Sequence, residues 1–235
     1  MTQSIIKRII SLYSRSPRIA LLMSGQGTNV EAILKARHRY PNLNFVSILT
    51  DRKASNALNL SREFGLHCHC LEGRITSNKE REDYFRNMAE RLQSLQIDTL
   101  IYAGFMKIST PSFVQAFPGI NIHPSDLTLL DPTGRPKYVG LDVISKAVAA
   151  GEKYIASTAH VVDCEVDCGQ PIMVSSPVYF TPEEAQNTSV LQEKLKTSSE
   201  NLLLPRVLEL LAQGKLDETQ LPLKLRPADF VKEFI

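Results

Sequence analysis

No apolar run in this 235-residue chain approaches the roughly 20 residues needed to span a bilayer, so no membrane association is expected. No basic stripe interleaved with aromatic residues is present, and the formal net charge is only +2, which leaves nucleic acid unsupported as the main ligand. Cysteine is scarce. Its four copies fall in two close pairs, Cys68/Cys70 and Cys164/Cys168, with no signal-peptide pattern, a usage that points to a reducing cytoplasm. Neither a linker nor an internal repeat divides the chain. Against these absences, 43% hydrophobic and 22% charged residues are enough to build a sizeable core in one domain.

Residues 1–17 differ from the rest. Ile5, Ile6, Ile9, Ile10 and Leu12 alternate with Lys7, Arg8 and Arg15, and no acidic residue intervenes. That composition fits a transit peptide, a surface-lying amphipathic helix or, as the plainer reading, a short helix packed on the domain or on a second subunit.

Arg18 to Met23 is a short apolar run of the kind that makes a buried parallel strand. It leads straight into Ser24-Gly25-Gln26-Gly27-Thr28-Asn29, and Val30, Ile33 and Leu34 then keep helix spacing. Strand, glycine turn and helix N-terminus form an anion cradle, because free N–H groups and the helix dipole point at the turn. The same residues also suit a plain tight turn capped by Thr28 or Asn29. The dinucleotide fingerprint is missing, since its third glycine would fall at Val30; no Gly-Lys-Ser/Thr follows, so it is not a P-loop.

Strands are expected at 44–50, 66–71 and 99–103, alternating with helices at 54–64 (closed by Gly65), at 79–95 and from Pro111. This alternation predicts an α/β fold, a doubly wound, mostly parallel sheet flanked by helices. Two further strands, 154–162 and 170–179, extend it, and helical spacing returns beyond Pro182. The stretch after Gly214 has Pro222, Pro227 and little period, and is expected to run along the surface.

Gly119-Ile-Asn-Ile-His-Pro-Ser125 carries the most chemistry. Asn121 and His123, two apart on a strand, project to one face, and Pro124 ends the ladder. At a strand's carboxyl end that face opens into the crevice where such sheets bind ligands. An imidazole there can move a proton near neutral pH and an amide can hydrogen-bond a developing oxyanion. The acidic turn Asp163-Cys-Glu-Val-Asp167-Cys-Gly169, with His160 just before it, supplies carboxylates able to fix an imidazole tautomer and raise its pKa. His67-Cys-His-Cys70 invites a zinc reading, but on a strand the two His face one way and the two Cys the other, so the four cannot close on one tetrahedral ion. No metal is expected.

Four segments in this order, Ser24-Gly-Gln-Gly-Thr-Asn29, Ala103-Gly-Phe-Met-Lys-Ile108, Asn121-Ile-His-Pro-Ser125 and the run 159–172, resemble the glycinamide ribonucleotide formyltransferase family over about 18–216. The division implied is an N-terminal extension (1–17), a formyltransferase domain (18–216) and a tail (217–235). The resemblance implies transfer of a formyl group from 10-formyltetrahydrofolate to an amine in purine synthesis, with no metal. It implies small-molecule partners only, a phosphoribosyl amine and a reduced folate, in a monomer or homodimer. Asn121, His123 and Asp167 match the catalytic trio, with His123 protonated through Asp167. Gly27, Thr28 and Asn29 match the phosphate cradle, Arg81 a phosphate-binding arginine, and Glu200 an acid near the substrate. Phe105, Met106, Lys107 and Ile108, with Cys164, Glu165, Val166 and Cys168, match the folate walls. Between Pro124 and Gly140 the chain departs from the family: Asp126 follows Ser125, residues are inserted before Pro136, and Asp142 and Ile144 stand where the family has a His-x-His. That loop touches the acceptor side, so another amine acceptor with the same donor, an amino-sugar or amino-acyl nucleotide, stays open; hydrolysis of the donor and a noncatalytic nucleotide or folate sensor are further alternatives.

Overall fold

A computed structural model describes residues 4–225. The chain opens on helix α1 (Ile5–Tyr13), capped by Ser4, which lays Ile6, Ile9 and Tyr13 into the same core as the first strand. Over residues 4–17 the plainer reading, a short helix packed on the domain, is the one observed. Alternating βα units follow: β1 (Arg18–Met23), α2 (Thr28–Lys35), β2 (Asn44–Thr50), α3 (Ala57–Phe64), β3 (His67–Cys70), α4 (Asn78–Ser94), β4 (Thr99–Tyr102), α5 (Pro111–Ala116) and β5 (Gly119–His123). After a long loop come α6 (Val143–Ala149), β6 (Tyr154–Ile155), β7 (Thr158–Val161), β8 (Pro171–Val174), β9 (Val178–Tyr179), α7 (Pro182–Ala185), α8 (Thr188–Leu195), α9 (Asn201–Ala212) and β10 (Leu223–Lys224).

The main sheet has the order β10-β8-β7-β5-β4-β1-β2-β3. Strands β1 to β5 are mutually parallel, while β7 runs antiparallel to both β5 and β8. The expected doubly wound, mostly parallel sheet is thus observed. Strand β1 is buried on both faces, Ile19, Leu21 and Met23 to one side and Ala20 and Leu22 to the other, which explains its unbroken apolar run. From β1 the order runs outward to β2 and β3 on one side and to β4 and β5 on the other. The crevice at such a reversal point lies beyond the carboxyl ends of β1 and β4.

Two expectations change. The strands expected at 154–162 and 170–179 each break in two, because the chain leaves the main sheet and β6 pairs with β9 in a separate two-stranded ribbon. Pro177 stands just before β9, where it has no N–H to give a ladder. The chain after Gly214 does more than follow the surface: Leu216 and Leu225 are buried and β10 adds in parallel to β8. Its two residues are too few for the periodicity to show. Pro227 lies outside the described residues.

Candidate active site

The glycine turn after β1 is held from three sides. Ser24 N–H donates to the Gly104 carbonyl (3.0 Å), Ser24 Oγ accepts from Met106 N–H (2.9 Å), and Asn56 N–H donates to the Gly25 carbonyl (3.1 Å). Gly27 is the left-handed cap of α2 (φ 73°), and a Cβ there would lie 2.6 Å from Met23 Cε and 2.8 Å from Leu60 Cδ1. Only glycine meets both conditions. Neither Thr28 nor Asn29 caps the helix; both lie inside it.

This turn forms one wall of a cleft of about 720 Å³ beyond the ends of β1, β4 and β5. Gly27, Thr28, Asn29, Phe105, Met106, Lys107, Ile108, Asn121, His123, Cys164, Glu165, Val166, Asp167 and Glu200 all line it. Two residues singled out from the sequence do not. Cys168 is half-buried behind the turn. Arg81 sits in the first turn of α4, donates to Asn78 Oδ1 (3.2 Å) and stays outside the cleft. Helix α4 is anchored by Phe85, Met88 and Leu92 in the core over the opposite face of the sheet, and that anchoring fixes where Arg81 can reach. Arg52 and Lys196, which sequence reasoning missed, are the cations that line the cleft together with Lys107. The charge of Lys107 is already engaged: its Nζ donates to the Gly73 carbonyl (2.7 Å), lies 3.7 Å from Asp51 Oδ2 and sits 4.9 Å from the Tyr84 ring centre.

Pairing of β5 with β7 sets Asn121 opposite His160 and His123 opposite Thr158. Cross-strand partners share a face, so this register assembles the polar cluster; a slip of one residue would turn every member away. Asn121 Nδ2 lies 3.0 Å from His160 Nε2 and 3.5 Å from Asp167 Oδ1. His160 Nδ1 donates to the Val161 carbonyl (2.9 Å), so a neutral His160 accepts from Asn121 through Nε2. His160 is enclosed and belongs to the cluster, as its place just before the acidic turn suggested.

Asp167 enters from the turn between β7 and β8 with left-handed backbone (φ 54°). Its Oδ2 accepts from Gly140 N–H at 2.8 Å and lies 3.3 Å from His123 Nδ1. Burial pushes this carboxyl up, but a hydrogen bond and charge from His160 and charge from His123, each when protonated, together with the Gly140 N–H outweigh it, holding Asp167 below the usual carboxylate range. Asp163, by contrast, turns back on its own loop to accept from Cys164 N–H (2.6 Å).

His123 is enclosed. Its Nε2 is 3.1 Å from the Tyr138 carbonyl, an acceptor only, so a hydrogen on Nε2 finds its partner there. Nδ1 faces a second acceptor, the Asp167 carboxylate. Full satisfaction of both contacts would require the imidazolium, yet burial drives the His123 pKa below its ordinary value and the opposing pull of Asp167 does not win. Burial therefore works against the protonated His123 that the resemblance implies, and the Asp167 carboxylate works for it.

Glu200 occupies the end of a wide turn, Lys196–Glu200, placed just before a helix whose fifth residue, Pro205, has no N–H to give. Buried, Glu200 accepts from Asn29 Nδ2 (3.2 Å) and Ser157 Oγ (3.3 Å), while Asn29 Oδ1 has no hydrogen-bond partner. Burial raises its pKa above the ordinary 4.5. A carboxyl raised in the folded state stabilises the fold below pH 4.5, and that contribution is lost as pH climbs through the folded value. Glu200→Gln should therefore raise the melting temperature at pH 7 to 8, with its amide free to donate to Asn29 Oδ1, and the gain should vanish below pH 4.5. Paired thermal scans across pH measure it; a variant less stable at neutral pH would refute the burial argument.

Among the described residues no group of three or more His, Cys, Asp or Glu is arranged to hold a metal ion, and no helix is long and apolar enough to cross a membrane. The sequence profile described as Formyl transferase matches residues 17–208. The phosphoribosylglycinamide formyltransferase of Haemophilus influenzae is 34% identical over 205 residues, 85% of this chain and 89% of that protein. Its Escherichia coli counterpart is 30% identical over 202 residues, 84% of this chain and 88% of that protein. The crystal structure of phosphoribosylglycinamide formyltransferase from Bacillus halodurans superposes with a TM-score of 0.71 at 28% identity, covering 83% of this chain and 94% of that one.

Proposed function

The chain belongs to the formyl transferase family, and from this we propose that it moves a formyl group from 10-formyltetrahydrofolate to the amine of glycinamide ribonucleotide. The observation that carries the reading is the convergence of Asn121, His123 and Asp167 on one cleft beside the Gly27 turn. Met106, Ile108 and Val166 expose apolar surface there, which suits a flat heteroaromatic ring. The N–H groups at the start of α2 suit a phosphate. With Arg81 outside the cleft, Arg52 and Lys196 are the side-chain cations placed to assist.

The donor supplies an electrophilic formyl carbon. As the amine adds to it, the formyl oxygen gains negative charge and the nitrogen must lose a proton. The His123–Asp167 pair, one proton short at rest, takes that proton at Nδ1, which then lies between ring and carboxylate. The imidazolium so formed and the Asn121 amide stabilise the oxyanion, and the proton is returned to the departing folate nitrogen. Because burial sets His123 below 6.5, kcat/KM should hold as pH is lowered and decline only below that value. An acid limb at or above pH 6.5 would remove His123 from the role of proton acceptor.

A second reading keeps the donor and changes the acceptor. It is favoured by one observation: Asp142, an exposed carboxylate in left-handed backbone (φ 57°), lines the cleft where the resemblance places a histidine. The deciding experiment supplies purified protein with 10-formyltetrahydrofolate and a panel of amines, and follows release of tetrahydrofolate. Turnover with glycinamide ribonucleotide supports the first reading, turnover only with another amine supports the second, and equal turnover without amine defeats both.

A further inference from the structure

The loop between Pro124 and Gly140, which the resemblance does not explain, reaches the reacting cluster through its backbone. The Tyr138 carbonyl accepts from His123 Nε2 (3.1 Å) and from Ser125 Oγ (2.7 Å). Two residues on, Gly140 N–H holds Asp167 Oδ2 at 2.8 Å. One short segment thus grips both members of the proton-accepting pair. Its own position is fixed from outside the cleft. The Tyr138 hydroxyl donates to Glu152 Oε1 (2.7 Å), and Lys137 Nζ donates to the same oxygen (2.8 Å) while lying 4.9 Å from the Tyr138 ring centre. The rest of the loop is braced by an Asp131-centred turn, where Asp131 Oδ1 accepts from Thr133 N–H (2.8 Å) and Arg135 N–H (3.1 Å), and by the Arg135–Glu165 ion pair.

We infer that Tyr138 and Glu152 act as positioning residues, a latch that holds the Tyr138 carbonyl against His123 Nε2 and so favours the ring tautomer protonated there. Neither residue lines the cleft or meets substrate. The reason such a device is required lies in the pair itself. Left alone beside an ionised carboxylate, a neutral imidazole would place its single hydrogen on Nδ1, where Asp167 accepts it, and the site would no longer have room for the incoming proton. A carbonyl fixed on the far side pulls the other way, since it offers Nε2–H an acceptor at 3.1 Å against the longer 3.3 Å approach of Nδ1 to Asp167. The Glu152 carboxyl is held ionised by the hydrogen bonds from Lys137 and Tyr138, which favours the charged acceptor the tyrosine needs.

The catalytic consequence rests on the proposed role of His123, but the tautomer does not, and the test separates the two. Long-range proton–nitrogen NMR of the histidine rings in the full chain, above the titration of His123, reads the tautomer directly. Wild type should show the Nε2–H form of His123. Tyr138→Phe keeps the ring and its packing but loses the hydroxyl, and Glu152→Gln weakens the acceptor; both should shift population toward Nδ1–H. In the formyl-transfer assay both should lower kcat about tenfold, the worth of one hydrogen bond, with the KM of each substrate unchanged. The double variant should be no worse than either single one. A His123 tautomer unchanged in both variants would overturn the latch, as would variants that lose melting temperature while keeping tautomer and kcat. A shifted tautomer with kcat intact would keep the latch and remove His123 from the proposed chemistry.

Discussion

Asp167→Asn is expected to lower kcat on the order of a thousandfold while leaving the fold in place. Asparagine is the informative replacement because Asp167 holds left-handed backbone (φ 54°), a conformation that asparagine tolerates and most side chains resist. An amide oxygen can still accept from Gly140 N–H, so the turn keeps its tether. What is lost is the negative charge 3.3 Å from His123 Nδ1. Without it nothing offsets the burial that disfavours an imidazolium, and the ring can neither take the amine's proton nor stabilise the oxyanion. The measurement is single-turnover formyl transfer beside circular dichroism. Activity within a few-fold of wild type, with the fold intact, would show that the carboxylate takes no part in the chemistry.

Gly169→Ala is expected to be the more destructive change, through packing. A Cβ on Gly169 would lie 1.8 Å from the Val161 carbonyl oxygen, and that neighbour is backbone, unable to rotate away. The Val161 carbonyl is also the acceptor for His160 Nδ1, and Val161 N–H donates to the Gln170 carbonyl (3.0 Å). Moving it would pull apart the β7–β8 hairpin that carries both His160 and Asp167. The cost should be on the order of 3 kcal/mol or more, with activity lost in whatever protein still folds. Denaturant titration of the variant tests this; wild-type stability would mean that the turn has room not seen in its backbone.

The two variants divide the site into parts that differ in how visible they were from the residues alone. Asn121 and His123 were legible because period two on a strand is enough to place them on one face, and Pro124 marks where the strand stops. The Gly27 turn was legible because a short apolar run, glycines and helix spacing succeed one another without a gap. Arg81 lies outside the cleft for a reason internal to the fold. The helix that bears it is oriented by Phe85, Met88 and Leu92, and no local pattern tells which way such a helix faces a cleft formed elsewhere. Lys107 shows the same limit: its cation was correctly located on the cleft, but Asp51, Gly73 and Tyr84, which engage it, lie 23 to 56 residues away.

Sequence alone determined the doubly wound layout, the end of the sheet at which the cleft opens and most of the residues facing it, because each follows from spacings of a few residues. Tertiary structure alone decided the burial that lowers the His123 pKa, the raised carboxyl of Glu200 and the grip of the Tyr138 carbonyl on the imidazole. These depend on how much water is excluded and on which distant groups close in. Desolvation and long-range hydrogen bonding are set by contacts between segments, and only the folded chain brings those segments together.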